Sequence, residues 1–300
     1  MIDISALTRK LLRERLAELY PGQEYELFYF CLTSNQVPFG YSHPDMILDL
    51  VAPNTPIDDN LRLFYVFLCS YYFLLDAAVD GHLPTRTSIV TLTPLLHLAI
   101  NALERITHSH APLRPLLQDG AFLSSYISRN SSAVRDEICF QSTPLVVDES
   151  VEYESIVNRS NCFFLLYQLA TLLTQRPYCL HTVALLKHYT FYVQLADDLG
   201  DWRMDYQKQN YTSFLRQCFV DCGRLLSLDE LEEYIYLKGK YETRLLHLIS
   251  SCKQLINKLR SCTERSDTYF ERAIRREQDN LLGLLTQFQN TKKRFLKRHG

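Results

Sequence analysis

Apolar residues recur along this chain at helical spacing from end to end. Leu7, Leu11, Leu12, Leu16 and Leu19 form one stripe over residues 4–19, the period-3.6 signature of an amphipathic helix. Residues 60–80 are apolar on nearly every face, which suits an inner helix. His82-Leu83-Pro84-Thr85-Arg86 breaks that run, and residues 91–107 read as a further helix. A turn over 111–120 precedes a helix to about residue 140, and residues 142–149 form a connector. Helices follow over 153–173 and, after Arg176-Pro177, over 180–205. Lys208–Tyr211 reads as a loop, and three amphipathic helices fill 212–223, 228–262 and 266–298. No alternating strand pattern, internal repeat or Gly/Ser linker is present. The pattern predicts an all-α protein: a single domain over residues 1–300, a bundle of roughly ten or more helices around a central cavity.

Composition agrees and narrows the function classes. The chain is 47% hydrophobic and 22% charged, with only 9 Gly and 11 Pro, few for a turn-rich β fold. A net charge of −2 excludes an electrostatic grip on nucleic acid. The basic stretch from Thr291 to Gly300 suits a solvated helix C-terminus, with a membrane-surface contact or a flap over an anionic ligand as rival readings. Nine cysteines include Cys218 and Cys222 at i,i+4, but no nearby His or Cys completes a zinc set. They read as reduced core thiols, which predicts a cytoplasmic protein. The N-terminus lacks an apolar secretory stretch. Residues 61–79 resemble a short membrane span apart from Arg62, and a buried helix explains them better than a transmembrane segment.

Two of these apolar helices end in carboxylates. Asp76 and Asp80 in Leu75-Asp76-Ala77-Ala78-Val79-Asp80 are four apart, so they share a helix face. In Gln194-Leu195-Ala196-Asp197-Asp198-Leu199-Gly200-Asp201-Trp202-Arg203-Met204-Asp205, Asp197, Asp201 and Asp205 repeat at i, i+4, i+8, with Asp198 beside them. Like charges so placed repel; a hard divalent cation reverses the sign. A lone DxxxD is ordinarily a solvated face. Two clusters, each closing a long apolar segment, favour a metal–diphosphate site.

Residues 194–201 resemble the second aspartate-rich motif of the class I isoprenoid synthases, which comprise prenyltransferases, head-to-head condensing enzymes and terpene cyclases. Asp76–Asp80 is similar to the first motif, with Ala77 where a second Asp is usual. Arg159-Ser160 resembles the Lys-Thr pair that faces the diphosphate in prenyltransferases, and a guanidinium suits bidentate phosphate contacts. The resemblance covers about residues 60–90 and 150–212 and is architectural elsewhere. It implies about three Mg²⁺ ions held by Asp76, Asp80, Asp197, Asp198, Asp201 and Asp205 against a prenyl diphosphate. Arg159, Ser160, Gln194, Lys208 and Arg86 would bind the diphosphate. Tyr72, Phe73, Phe163, Tyr167 and Tyr192 are candidates to line an apolar cavity that excludes water and stabilises cations. A homodimer is compatible with such a fold, and no residue pattern demonstrates it.

The reaction class is less sharply marked. The Gly-Gly-Lys-X-X-Arg stretch of elongating prenyltransferases is absent, as is the basic residue after the second motif, where Tyr211 stands. Both absences remove anchors for a second diphosphate, which favours a terpene cyclase acting on one substrate. The cyclase-type Asn/Asp-x-x-x-Ser/Thr-x-x-x-Glu triad is also absent. A prenyltransferase, head-to-tail or head-to-head, is the alternative. An inactive helical partner subunit of a synthase is the third reading.

Overall fold

A computed structural model describes residues 4–19, 21–22, 42–79, 85–115, 121–142, 144–145 and 149–299. Among them are twelve α-helices and no strand: α1 (Ile4–Leu19), α2 (His43–Val51), α3 (Asp59–Val79), α4 (Thr85–Ser109), α5 (Ala121–Ser142), α6 (Glu149–Arg159), α7 (Asn161–Leu173), α8 (Leu180–Gln207), α9 (Ser213–Cys222), α10 (Leu228–Lys238), α11 (Lys240–Thr263) and α12 (Tyr269–His299), with a 3₁₀ turn at Ala111–Leu113. The all-α expectation therefore holds. The break at 82–84, Asp80 and the far end of the 111–120 turn lie outside the described residues.

The chain divides into two compact units, Met1–Ser128 with Asn161–Tyr178, and Arg129–Ser160 with Cys179–Gly300. In the first, α3 packs on α1, α2, α4 and α7, and α7 also packs on α2 and the 3₁₀ turn. The apolar run of α3 is explained by burial: every residue from Leu61 to Ser70 is buried. Arg62, the one charge in that stretch, forms a two-pronged pair with Asp45 of α2, one arm of it 2.9 Å long, which a buried guanidinium requires. No helix of the described residues is long and apolar enough to cross a membrane. Asp58 starts α3 by accepting the Asn60 N–H at 2.7 Å. The nine-residue α2 escaped the sequence pattern because it spans under three turns, too short for a periodic stripe.

In the second unit α8 is central, packing on α6, α9, α11 and α12, while α11 also packs on α10 and α12. Tyr241 of α11 donates its hydroxyl to the Leu199 carbonyl at 2.7 Å and stacks on Phe288 of α12 with centroids 4.7 Å apart. The basic stretch continues α12 to His299, and Lys292 pairs with Glu242 of α11 at 3.2 Å.

Two expected helices are each split. Residues 228–262 form α10 and α11, divided at Gly239, whose φ of +70° only glycine adopts without strain. Residues 153–173 divide at Ser160, whose N–H reaches back three residues to the Val157 carbonyl at 3.0 Å. That tightening ends α6 before α7 begins. The helix expected over 91–107 begins earlier, at Thr85, and carries Pro94 inside it.

Candidate functional site

The carboxylates of α8 do not share one environment. Asp198 and Asp205 are buried, whereas Asp197 and Asp201 are exposed. Helical geometry accounts for the division. Seven residues bring Asp198 and Asp205 to within about 20° of each other, while Asp197 and Asp205 lie about 80° apart. The i, i+4, i+8 series is thus split by the packed face of α8. Asp197 and Asp201, about 40° apart, are the pair that remains toward solvent.

Asp198 is enclosed by polar partners from neighbouring helices. Gln194 Nε2 donates to its carboxylate at 3.4 Å. The backbone N–H of Ser213, in the first turn of α9, donates to it as well, so the carboxylate also complements the positive end of that helix. Arg159, the last residue of α6, and Arg244 of α11 act on it electrostatically. Burial is the largest influence and pushes the carboxyl above its ordinary value, with Arg159, Gln194, Ser213 and Arg244 opposing it. Asp205 is used differently. It accepts from Asn210 Nδ2 at 3.3 Å, while its carbonyl takes the Asn210 N–H at 2.9 Å. Those bonds close the turn after α8.

Arg159 is placed by the same packing of α6 on α8, and Asn130 of α5 donates to its carbonyl at 3.0 Å. Ser160 follows it, half-buried, in the break between helices. One polar layer away, Glu152 of α6 pairs with the buried Arg216 of α9 and accepts from Ser213 Oγ at 2.8 Å. Burial lowers the Arg216 guanidinium to about 10. Lys208 is exposed at the C-terminal cap of α8.

The structure thus gathers Gln194, Asp198 and Arg159, and leaves Asp197 and Asp201 exposed on the same helix. Asp76 lies in the last turn of α3 and Arg86 in the first turn of α4, both in the first unit; their side chains, and Asp80 altogether, are outside the described residues. Of the aromatic candidates, Tyr72 and Phe73 are half-buried on α3. Phe163 is buried edge-on to His43 (5.0 Å between centroids) and Tyr167 is buried beside Tyr178 (5.4 Å). Tyr192 is half-buried and stacks on His188 at 6.1 Å.

Sequence reasoning missed Ser213, Arg216, Arg244 and Glu152. Their signal was faint: Arg216 and Arg244 each sit beside buried apolar neighbours, Leu215 and Leu245. A charge adjoining a core stripe needs a partner, but spacing does not name it.

Among the described residues no cluster of three or more His, Cys, Asp or Glu side chains is set to hold a metal ion. The donor chemistry of Asp197 and Asp201 nevertheless suits a hard cation, since Mg²⁺ takes one or two carboxylates and completes its shell with water and phosphate. Asp198 and Asp205 fit less well, being committed to internal donors. No protein-family model, curated protein or solved structure matches this chain.

Proposed function

We propose that the chain is a Mg²⁺-dependent class I terpene synthase that ionises a linear prenyl diphosphate and releases diphosphate. One observation carries the reading within the second unit. Asp197 and Asp201 stay exposed at i,i+4 on an otherwise well-packed helix, and Arg159 stands beside their neighbour Asp198. Two carboxylates on one exposed helix face offer oxygen ligands of the kind a hard cation takes. Asp197 and Asp201 would hold Mg²⁺, which when bound would neutralise charge on the departing diphosphate.

The chain's own groups would do the rest. Arg159 offers a fork of donors to diphosphate oxygens, Ser160 adds a hydroxyl, and Gln194 orients Asp198. Asp198 keeps Arg159 aligned rather than binding metal itself. Aromatic side chains from the apolar helices would exclude water from the allylic cation. A prenyltransferase differs in needing a second, isopentenyl diphosphate.

A second reading, a catalytically silent helical subunit, is favoured by the internal use of Asp198 and Asp205. Incubation with Mg²⁺ and geranyl, farnesyl or geranylgeranyl diphosphate, each with and without isopentenyl diphosphate, separates the three. Hydrocarbon from one allylic substrate supports the cyclase, and a longer diphosphate made only with isopentenyl diphosphate replaces it by the prenyltransferase. Absence of turnover, with melting unaffected by Mg²⁺ and diphosphate together, replaces it by the silent subunit. Asp197→Ala is expected to abolish turnover while leaving the melting temperature nearly unchanged.

A further inference from the structure

A part-buried sulfur pair in the first unit has no role in the function proposed. Cys69 of α3 and Cys162 of α7 place their Sγ atoms 3.7 Å apart. Tyr65, one turn before Cys69, hydrogen-bonds to both thiols, and its hydroxyl oxygen lies 2.6 Å from His43 Nδ1. Burial lowers His43 to about 3, so the imidazole is neutral. Two thiols, a phenol and an imidazole from α2, α3 and α7 thus meet in one polar cluster.

The two sulfurs are unequal. Cys162 is the second residue of α7, where backbone N–H groups of the first turn point at its sulfur. That position favours a thiolate. The hydrogen bond from Cys69 is the largest influence drawing its thiol down, and it overcomes burial; Tyr65 and the backbone N–H groups add to it. Burial instead pushes the Cys69 thiol up. Cys162 is also partly exposed, whereas Cys69 is 4% exposed. The buried Cys218 and Cys252 differ from Cys162, because burial pushes each up to about 12, as expected of inert core thiols.

We propose that Cys162 and Cys69 are a peroxide-responsive thiol pair, Cys162 reacting first and Cys69 closing a disulfide that joins α7 to α3. The Cys162 thiolate attacks one oxygen of hydrogen peroxide, the O–O bond breaks, and hydroxide leaves and is protonated to water. Cys162 is then a sulfenic acid. The Cys69 sulfur attacks it as the S–O bond breaks, and the departing hydroxide takes the Cys69 proton to leave as water. Two thiols are oxidised to one disulfide, and one peroxide is reduced to two waters. The sulfurs need to approach by about 1.7 Å to reach bonding distance.

The test uses the full chain treated with equimolar hydrogen peroxide, unfolded in iodoacetamide, and digested without reductant for mass spectrometry. A peptide cross-linked through Cys69 and Cys162, abolished by reductant, is the expected product. Recovery of both residues fully alkylated, while the exposed Cys179 is oxidised, would overturn the proposal. Cys69→Ser should stop the reaction at a Cys162 sulfenic acid that dimedone labels, whereas Cys162→Ser should leave Cys69 unlabelled. Equal labelling of Cys69 in Cys162→Ser overturns the assigned order. Should either variant fail to fold, the cross-link in the unaltered chain decides the matter.

Discussion

Removing the charge of Glu271 tests how the second unit is held together. Glu271 is 1% exposed in the first turn of α12. Arg260 of α11 clamps both of its oxygens, at 3.0 and 2.6 Å, and Arg275 adds contacts of 3.0 and 2.7 Å. The Asp267 N–H donates to the same carboxylate at 3.2 Å, while Thr268 Oγ1 accepts the Glu271 N–H at 3.0 Å. The Arg260 hydrogen bond is the largest influence lowering the Glu271 carboxyl, from 4.5 to about 2. At about 1.4 kcal/mol per pH unit, that difference corresponds to at most about 3.4 kcal/mol. Arg260 and Arg275 are 44% and 50% exposed, so solvent screening reduces the figure to about 2 kcal/mol.

The folded carboxyl ionises at lower pH than the unfolded one. Its contribution is therefore complete above about pH 4.5 and is lost as pH falls toward about 2. Glu271→Gln should lower stability by about 2 kcal/mol at neutral pH, a melting shift of about 4–8 °C. Thermal unfolding followed by circular dichroism, repeated from neutral pH to about pH 3, should show the gap between variant and parent closing with acid. A gap below about 0.5 kcal/mol at neutral pH, or one that persists unchanged in acid, refutes the assignment.

Gly239→Ala and Gly283→Ala should move stability in opposite directions, although an added Cβ meets nothing within 4 Å at either site. Gly239 has φ of +70°, so alanine there costs about 1–2 kcal/mol; Gly283, inside α12, gains about 0.5–1 kcal/mol from alanine. Denaturant midpoints of both variants check this, and equal signs contradict the backbone argument. Asp198→Ala should destabilise by about 1–3 kcal/mol by leaving the Ser213 N–H without its acceptor, with Asp198→Asn milder because its amide oxygen still accepts. Asp201→Ala should change stability by no more than about 0.5 kcal/mol, so similar melting losses for Asp198→Ala and Asp201→Ala count against the two environments of α8.

Helix is a local property, and that is why so much of the fold was legible in order along the chain. The 3.6-residue stripe from Leu7 to Leu19, the long run of α3 and the extent of α8 need only intrinsic periodicity and the punctuation of Pro177 or the Lys208–Tyr211 turn. The Asp-rich end of α8, with Gln194 ahead of it and Arg159 two helices earlier in sequence, could be found for the same reason. Where the pattern failed, the deciding residue was small or the segment short. Gly239 interrupts a stripe that continues across it, and α2 ends before a period can be established.

Which side of α8 is buried is a different kind of fact. Asp197 and Asp198 are adjacent and chemically identical, yet one faces solvent while the other receives the Ser213 N–H and lies beside Arg159 and Arg244. That choice depends on where α6, α9 and α11 pack, contacts between residues far apart in sequence. The partner of Arg62 on α2, the pairing of Glu271 with Arg260, and the meeting of Cys69 with Cys162 are decided in the same way. By itself the sequence determined an all-helical chain and where its carboxylates cluster. Only the tertiary structure, which sets who stands opposite each side chain in a low-dielectric interior, divided the four carboxylates of α8 into two that hold the fold together and two left toward solvent.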